Sequence, residues 1–209
     1  MSSPGIIKTL KESSINRYKE KGSEFIAEAF PVAYEEEIQI RLTEVKKKYY
    51  DASHHCYAFR LKDDSFRYSD AGEPNGTAGI RILNAIDHFE VRDILLIVTR
   101  YFGGVKLGVG PLGKAYYRIA ELLLQGCIYQ EERPYRKIKA LCGFEYVSTV
   151  HREISAQSSI LKNIEYGEKV SFDILIPSEN TDLFINKLTD STNGNVSIFT
   201  ESGIIYNKI

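Results

Sequence analysis

Asp93–Gly110, DILLIVTRYFGGVKLGVG, is the stretch on which the reading of this chain turns. The run Ile94–Thr99 is short and rich in Ile, Leu and Val. A polar residue precedes it and glycines follow, the signature of a strand covered on both faces. Its end delivers Arg100, Tyr101 and Phe102 to a loop with four glycines in eight residues, Gly103, Gly104, Gly108 and Gly110. Glycines let a backbone come close to a ligand or to another segment. The loop lies between a strand and a helix, where free N–H groups favour anions, and Lys106, Lys114 and Arg118 put cations nearby. Lys114 and Arg118 are four residues apart and share a helix face. Neither GxGxxG nor GK[ST] is present, so no nucleotide fingerprint applies. The expectation is an anion or phosphate-backbone site at Arg100, Lys106, Lys114 and Arg118. Tyr101 is available to stack on bases, and Phe102 is read as core.

Leu112–Gln125 follows as a helix with Leu112, Tyr116, Ile119 and Leu123 on its buried face, Pro111 in its first turn and Gly126 at its end. Upstream, Asp70–Gly79 (DAGEPNGTAG) is a second glycine-rich stretch. Asn75 or Thr77 is expected to cap the next helix, whose face is Ile80, Leu83 and Ile86. Before it, Cys56–Arg60 and Ser65–Ser69 alternate as a strand pair turning at Asp63-Asp64. Glu35–Tyr49 is a helix with Ile38, Leu42, Val45 and Tyr49 at helical spacing. Its leading Glu35–Glu37 and trailing Lys46–Lys48 complement the helix dipole. Tyr18–Val32 reads as a hairpin turning at Gly22-Ser23, and residues 1–16 as a polar, irregular lead.

The texture changes at Glu131-Glu132-Arg133-Pro134, taken as a linker between a domain at 1–132 and another at 133–209. The second reads strand 137–146, helix 148–158, strands 160–166 and 169–176, helix 178–191 and strand 196–200, the order of a ferredoxin-like sandwich. The class is α+β.

Composition excludes several possibilities. The 209 residues are 43% apolar and 26% charged with a net charge of −1, so no global basic field announces nucleic acid. Residues 1–132 carry 18 basic and 19 acidic side chains and 133–209 nine of each, so any nucleic-acid surface is a local patch. Three cysteines without a CxxC argue against a disulfide framework and a structural zinc site. No apolar run approaches the roughly 18 residues of a membrane span, and the expectation is a cytoplasmic protein.

His54, His55, Asp70 and Glu73 are the candidate acid–base or metal-binding side chains. Adjacent histidines on a strand face opposite ways, so at most one joins a site. Asp70 and Glu73 are equally suited to satisfying backbone amides. Ser53, Ser69 and Cys56 lie in no nucleophile motif.

Taken together, SEFIAEAFPV, DASHHCYAF, RYSDAGEPNGTAG and VTRYFGGVKLGVGPLGKAY resemble the IMPACT/YigZ family. The resemblance implies an N-terminal α/β domain similar to one shared by a small-subunit ribosomal protein and elongation factor G. It also implies a C-terminal ferredoxin-like domain. Eukaryotic relatives are translational regulators that act partly through an additional domain this chain is expected to lack. Some members are labelled proline peptidases. The chain departs from the family pattern at His55, Ala71, Asn75, Pro111 and Lys114. Ala71 removes a carboxylate from the acidic turn, and Lys114 gives up the bidentate geometry of an arginine.

The function read from all this is a non-enzymatic factor that binds RNA or the ribosome and regulates translation. It needs no cofactor, metal or membrane. The binding residues are Arg100, Tyr101, Gly103, Gly104, Lys106, Gly108, Lys114, Arg118, His54, Asp70, Glu73, Asn75 and Thr77. The alternatives are a hydrolase or metal-dependent enzyme using His54, Asp70 and Glu73, or a protein–protein adaptor.

Overall fold

A computed structural model describes residues 5–209. Contacts divide it into two compact units, Ile7–Glu131 and, together with residues 5–6, Glu132–Ile209. In the first, the elements are β1 (Ile7–Leu10), β2 (Ser14–Glu20), β3 (Ser23–Pro31), α1 (Glu35–Lys48), β4 (His54–Arg60), β5 (Phe66–Ser69), α2 (Gly79–His88), β6 (Ile94–Tyr101) and α3 (Val109–Gln125).

β6 is the middle strand of a five-stranded sheet in the order β2-β3-β6-β4-β5, antiparallel throughout. Its unbroken apolar run has a simple cause, which is that helices cover both faces of the sheet. Phe25, Ala27, Cys56, Ala58, Leu96 and Val98 pack against Ile82, Ile86, Tyr116 and Ile119 of α2 and α3. On the other face, Ile26, Phe59, Leu95 and Ile97 pack with Ile38, Leu42 and Val45 of α1. Side chains alternate along a strand, so each residue at the end of β6 is committed to one face.

Two expectations give way here. The lead at 1–16 is not irregular within the described residues, and residues 1–4 lie outside them. Arg92 N–H donates to Lys8 O of β1, Lys11 N–H donates to Ile128 O, and β2 already pairs with β3 from Ser14. Nor is the helix α2 capped by Asn75 or Thr77. Its N-cap is Ala78, with no side-chain cap of its own. The Thr77 hydroxyl donates instead to Pro74 O at 2.6 Å, and Asn75 is exposed. Asp70 does the capping from a distance, as described below. The buried α2 face includes Ile82, with Ile80 only partly covered.

The second unit follows the expected order. Its elements are β7 (Tyr129–Cys142), which enters from the first unit, α4 (Val147–Ala156), β8 (Ile160–Tyr166), β9 (Val170–Pro177), α5 (Thr181–Ser191), β10 (Val196–Thr200) and β11 (Ile205–Lys208). The strands lie in the order β10-β7-β9-β8, a ferredoxin-like sheet, over a core of Ile138, Ala140, Val150, Phe172, Ile174, Phe184 and Leu188. Glu131–Pro134 is strand rather than an irregular linker, since β11 pairs with Glu132–Tyr135 of β7. Among the described residues no helix is long and apolar enough to cross a membrane.

Candidate functional site

Asp70 organises the first of the two glycine-rich loops. Its carboxylate accepts from the backbone N–H groups of Gly76, Ala78 and Gly79, each at 2.9 Å, closing the loop and capping α2. Burial raises this carboxyl, but the three donors outweigh it and hold it below the usual value. Asp70 is therefore committed to the backbone.

The neighbouring Glu73 is committed to side chains. Its Oε1 accepts from Arg100 Nη1 at 2.7 Å and from the Tyr116 hydroxyl at 2.8 Å. Arg100 is only 5% exposed, its Nη2 reaches Ser23 Oγ at 3.2 Å, and its guanidinium lies over the rings of Phe25 and Phe102. Behind Tyr116, Cys56 Sγ lies 2.9 Å from Asp70 O and 3.4 Å from the Tyr116 hydroxyl. Burial pushes the Cys56 thiol up to about 12 and raises the Tyr116 phenol, so both remain protonated at neutral pH. Cys56 is thus no nucleophile.

His54 completes the cluster. Its Nδ1 is 2.9 Å from Ala71 O, and a carbonyl only accepts, so Nδ1 carries the proton in the neutral ring. Nε2 then faces Glu73 Oε2 at 3.8 Å, and that oxygen accepts no hydrogen bond among the described residues. His55 points to the opposite face and meets Thr99 Oγ1 at 3.2 Å.

Above this cluster opens a cleft of about 490 Å³, lined by Ser53, His54, Glu73, Pro74 and Arg100, and by residues 102, 106–109 and 112. Both glycine-rich loops contribute. Phe102 is 48% exposed on its wall, not in the core, and Lys106 stands at its rim. A second depression of about 730 Å³ lies on the other side of the first turns of α3. It is lined by Tyr18, Glu20, Arg81, Lys114, Tyr117 and Arg118, together with residues 110, 111, 113 and 115. Arg81, Lys106 and Lys114 have no acidic partner among the described residues, whereas Arg118 reaches Glu121 at 2.6 Å and Glu20 accepts from the Tyr18 hydroxyl.

Comparison with known proteins places this geometry in a family. The model of the Impact N-terminal domain matches residues 21–124, which contain the whole cleft, and a domain of unknown function, DUF1949, matches 142–195. The Bacillus subtilis IMPACT family member YvyE is 30% identical over 192 residues, spanning 91% of this chain and 88% of its own. The chain belongs to the IMPACT family. The Escherichia coli member YigZ is also 30% identical, over 74% of this chain and 78% of its own. A crystal structure titled as that of a hypothetical protein superposes with a TM-score of 0.67 at 24% identity, covering 95% of this chain and 98% of that one, a likeness of fold.

In this IMPACT-family chain the expected site residues fall into three groups. Lys106, Gly108, His54 and Glu73 line the cleft, and Lys114 and Arg118 line the second depression. Arg100 is no surface cation, because Glu73 and the core enclose it. Tyr101 sits on the α1 side of the sheet, with its hydroxyl on Asp51 at 2.8 Å. Asp70 and Thr77 shape the loop and Asn75 is exposed on it, and none of the three lines the cleft. Gly103 serves the fold, since a Cβ there would lie 1.9 Å from the Gly22 carbonyl carbon in the β2–β3 turn. Gly108, at φ +82°, turns the loop into α3. Of the set named for the enzyme alternative, His54 and Glu73 meet in the cleft at 3.8 Å, whereas the Asp70 carboxylate is held by three backbone amides. Among the described residues no group of three or more His, Cys, Asp or Glu could hold a metal ion. Phe102, read as core from the sequence, belongs to the cleft wall, and no local pattern in the sequence brings Arg81, Tyr18 or Tyr117 beside α3.

Proposed function

We propose that this IMPACT-family protein is an RNA- or ribosome-associated binding factor whose first unit takes RNA across the first turns of α3. The observation that carries this reading is the set of three unpaired cations, Arg81, Lys106 and Lys114, beside the exposed ring of Phe102 and the half-buried ring of Tyr117. Cations without local carboxylate partners are free to neutralise phosphates, and aromatic faces accept bases of any sequence. The absence of acidic residues from the first turn of α3 leaves its N-terminal field uncancelled. Net charge is near zero, so the surface acts locally and binding is salt-sensitive rather than tight.

The test is fluorescence anisotropy with a single-stranded RNA, the intact chain and the Lys106→Glu/Lys114→Glu variant. Loss of at least about tenfold in affinity at low salt is expected from reversing two phosphate-contacting charges. Equal affinity of variant and parent would remove this surface from the binding reaction.

A protein-adaptor reading is favoured by one observation in the second unit, the exposed pair Phe144 and Tyr166, stacked with centroids 6.4 Å apart. Substituting both with alanine would abolish capture of a protein partner if that pair is its anchor, and retention of capture would exclude it.

A further inference from the structure

The floor of the cleft has a hydrogen-bonding pattern that its own residues do not use. Oε1 of Glu73 is occupied by Arg100 and Tyr116, but Oε2 accepts nothing among the described residues and borders the cleft. His54 gives its Nδ1 proton to Ala71 O, which leaves Nε2 of the neutral ring with a lone pair. Glu73 Oε2 and Nε2 of that ring are thus two neighbouring acceptors, 3.8 Å apart. Arg100 turns Nη1 to Glu73 and Nη2 to Ser23, and its Nε is buried without a partner among the described residues, away from the cleft surface. The wall is apolar: Phe102, Leu107, Val109, Leu112 and Pro74. The rim carries Lys106.

We infer that this cleft receives one unpaired guanine of the RNA proposed above, the base against Phe102, its phosphate at Lys106, and its N1–H and N2–H donors on Glu73 Oε2 and His54 Nε2. The chemistry discriminates among the four bases. Guanine alone presents two adjacent donors on its Watson–Crick edge. Adenine and cytosine present a donor beside an acceptor, so one ring nitrogen would face a lone pair on the floor. Uracil presents a single donor between two carbonyls. A pair of adjacent acceptors rejects a ligand acceptor set against it because both groups lose water and neither gains a hydrogen bond. The volume suits a nucleoside, as pockets for small ligands run from about 300 to 1,000 Å³. Phe102 supplies the stacking face common to single-strand binders, and Lys106 supplies charge at the position where the base leaves its backbone.

This inference rests on the RNA reading for its biological ligand, and the experiment separates the two. The probes are guanosine, inosine, adenosine, cytidine and uridine monophosphates, titrated into the full chain up to millimolar concentration. The readout is the His54 ring signal in NMR, with dissociation constants from the shifts. Guanosine monophosphate is expected to bind at least about tenfold tighter than the adenosine, cytidine or uridine nucleotides, the low end of what one bidentate base contact supplies. Inosine, which keeps N1–H and lacks the N2 amine, is expected in between. Glu73→Gln puts an amide in place of the carboxylate and is expected to erase the guanine preference. Should that variant not fold, Phe102→Ala, which alters an exposed ring, is expected to weaken guanosine monophosphate binding about tenfold, the scale of one base–aromatic stack.

Equal affinities for all five nucleotides, or no binding of any, would overturn the guanine pocket while salt-sensitive binding of RNA oligonucleotides left the broader reading standing. Guanine-selective binding by a chain that takes no oligonucleotide would keep the pocket and remove the RNA reading.

Discussion

Arg100 carries a full charge to the floor of the cleft, and that burial is tolerable only because Glu73 answers it at 2.7 Å. Removing one member of such a pair leaves the other uncompensated. Arg100→Ala is therefore expected to cost about 3–5 kcal/mol, read as a lower urea midpoint with an unchanged slope. The effect should exceed that of any exposed pair such as Arg17–Glu24, which contributes at most about 1 kcal/mol. The sequence makes Arg100 look like a ligand contact because it ends a buried strand beside glycines. The alternation of β6 already assigns it to the face of Leu96 and Val98. What no local pattern supplies is the partner, 27 residues away in a different loop. Cys56 gives a second check. With its thiol held protonated and fully buried, it is expected to resist a thiol-specific reagent at neutral pH until the chain is unfolded, while the half-buried Cys127 reacts sooner.

The two glycine-rich loops hold their shapes for different reasons, and each reason has a test. Gly103 packs against the backbone of the β2–β3 turn, so Gly103→Ala must push two segments apart. A loss of several kcal/mol is expected. Gly110, in the first turn of α3 with open space around it, accepts alanine without loss. Similar unfolding midpoints for the two variants would contradict this assignment. The other loop hangs on Asp70. Its carboxyl titrates below the ordinary aspartate value of about 3.9, so its contribution is complete above that value and is lost as pH falls through the lower folded-state value. Asp70→Asn is expected to cost about 1–2 kcal/mol at pH 7. The gap between parent and variant in urea midpoint should close toward pH 2, and a gap that stays constant with pH would refute the charged cap.

Helices and hairpins of this chain are legible because their apolar spacing is regular: Ile38, Leu42 and Val45 on α1, Leu112, Tyr116 and Ile119 on α3. The misreadings share a different physics. Glu131–Pro134 looks like a linker because it is polar and contains a proline. It becomes strand only because β11, some seventy residues later, pairs with it. Asn75 and Thr77 are the nearest capping types before α2, whereas the acceptor comes from Asp70 across a loop.

For the whole molecule, the account rests on where charge is left unpaired rather than on how much there is. A chain of net charge −1 carries three free cations around one helix start, next to a cleft with an apolar wall. Most of the other basic side chains of the first unit stand in ion pairs, Arg60 with Asp87 and Arg92 with Asp64 among them. The sequence located Lys106 and Lys114 but not Arg81, because the chain brings α2 to α3 only in three dimensions.

The most direct measurement is the salt dependence of RNA binding. Neutralising three phosphates of a single strand gives a slope of log K against log salt concentration near about −2, and reversing Lys106 and Lys114 should bring it below about −1 in magnitude. A slope near zero for the parent chain, or the same slope for parent and variant, would contradict RNA binding at the start of α3.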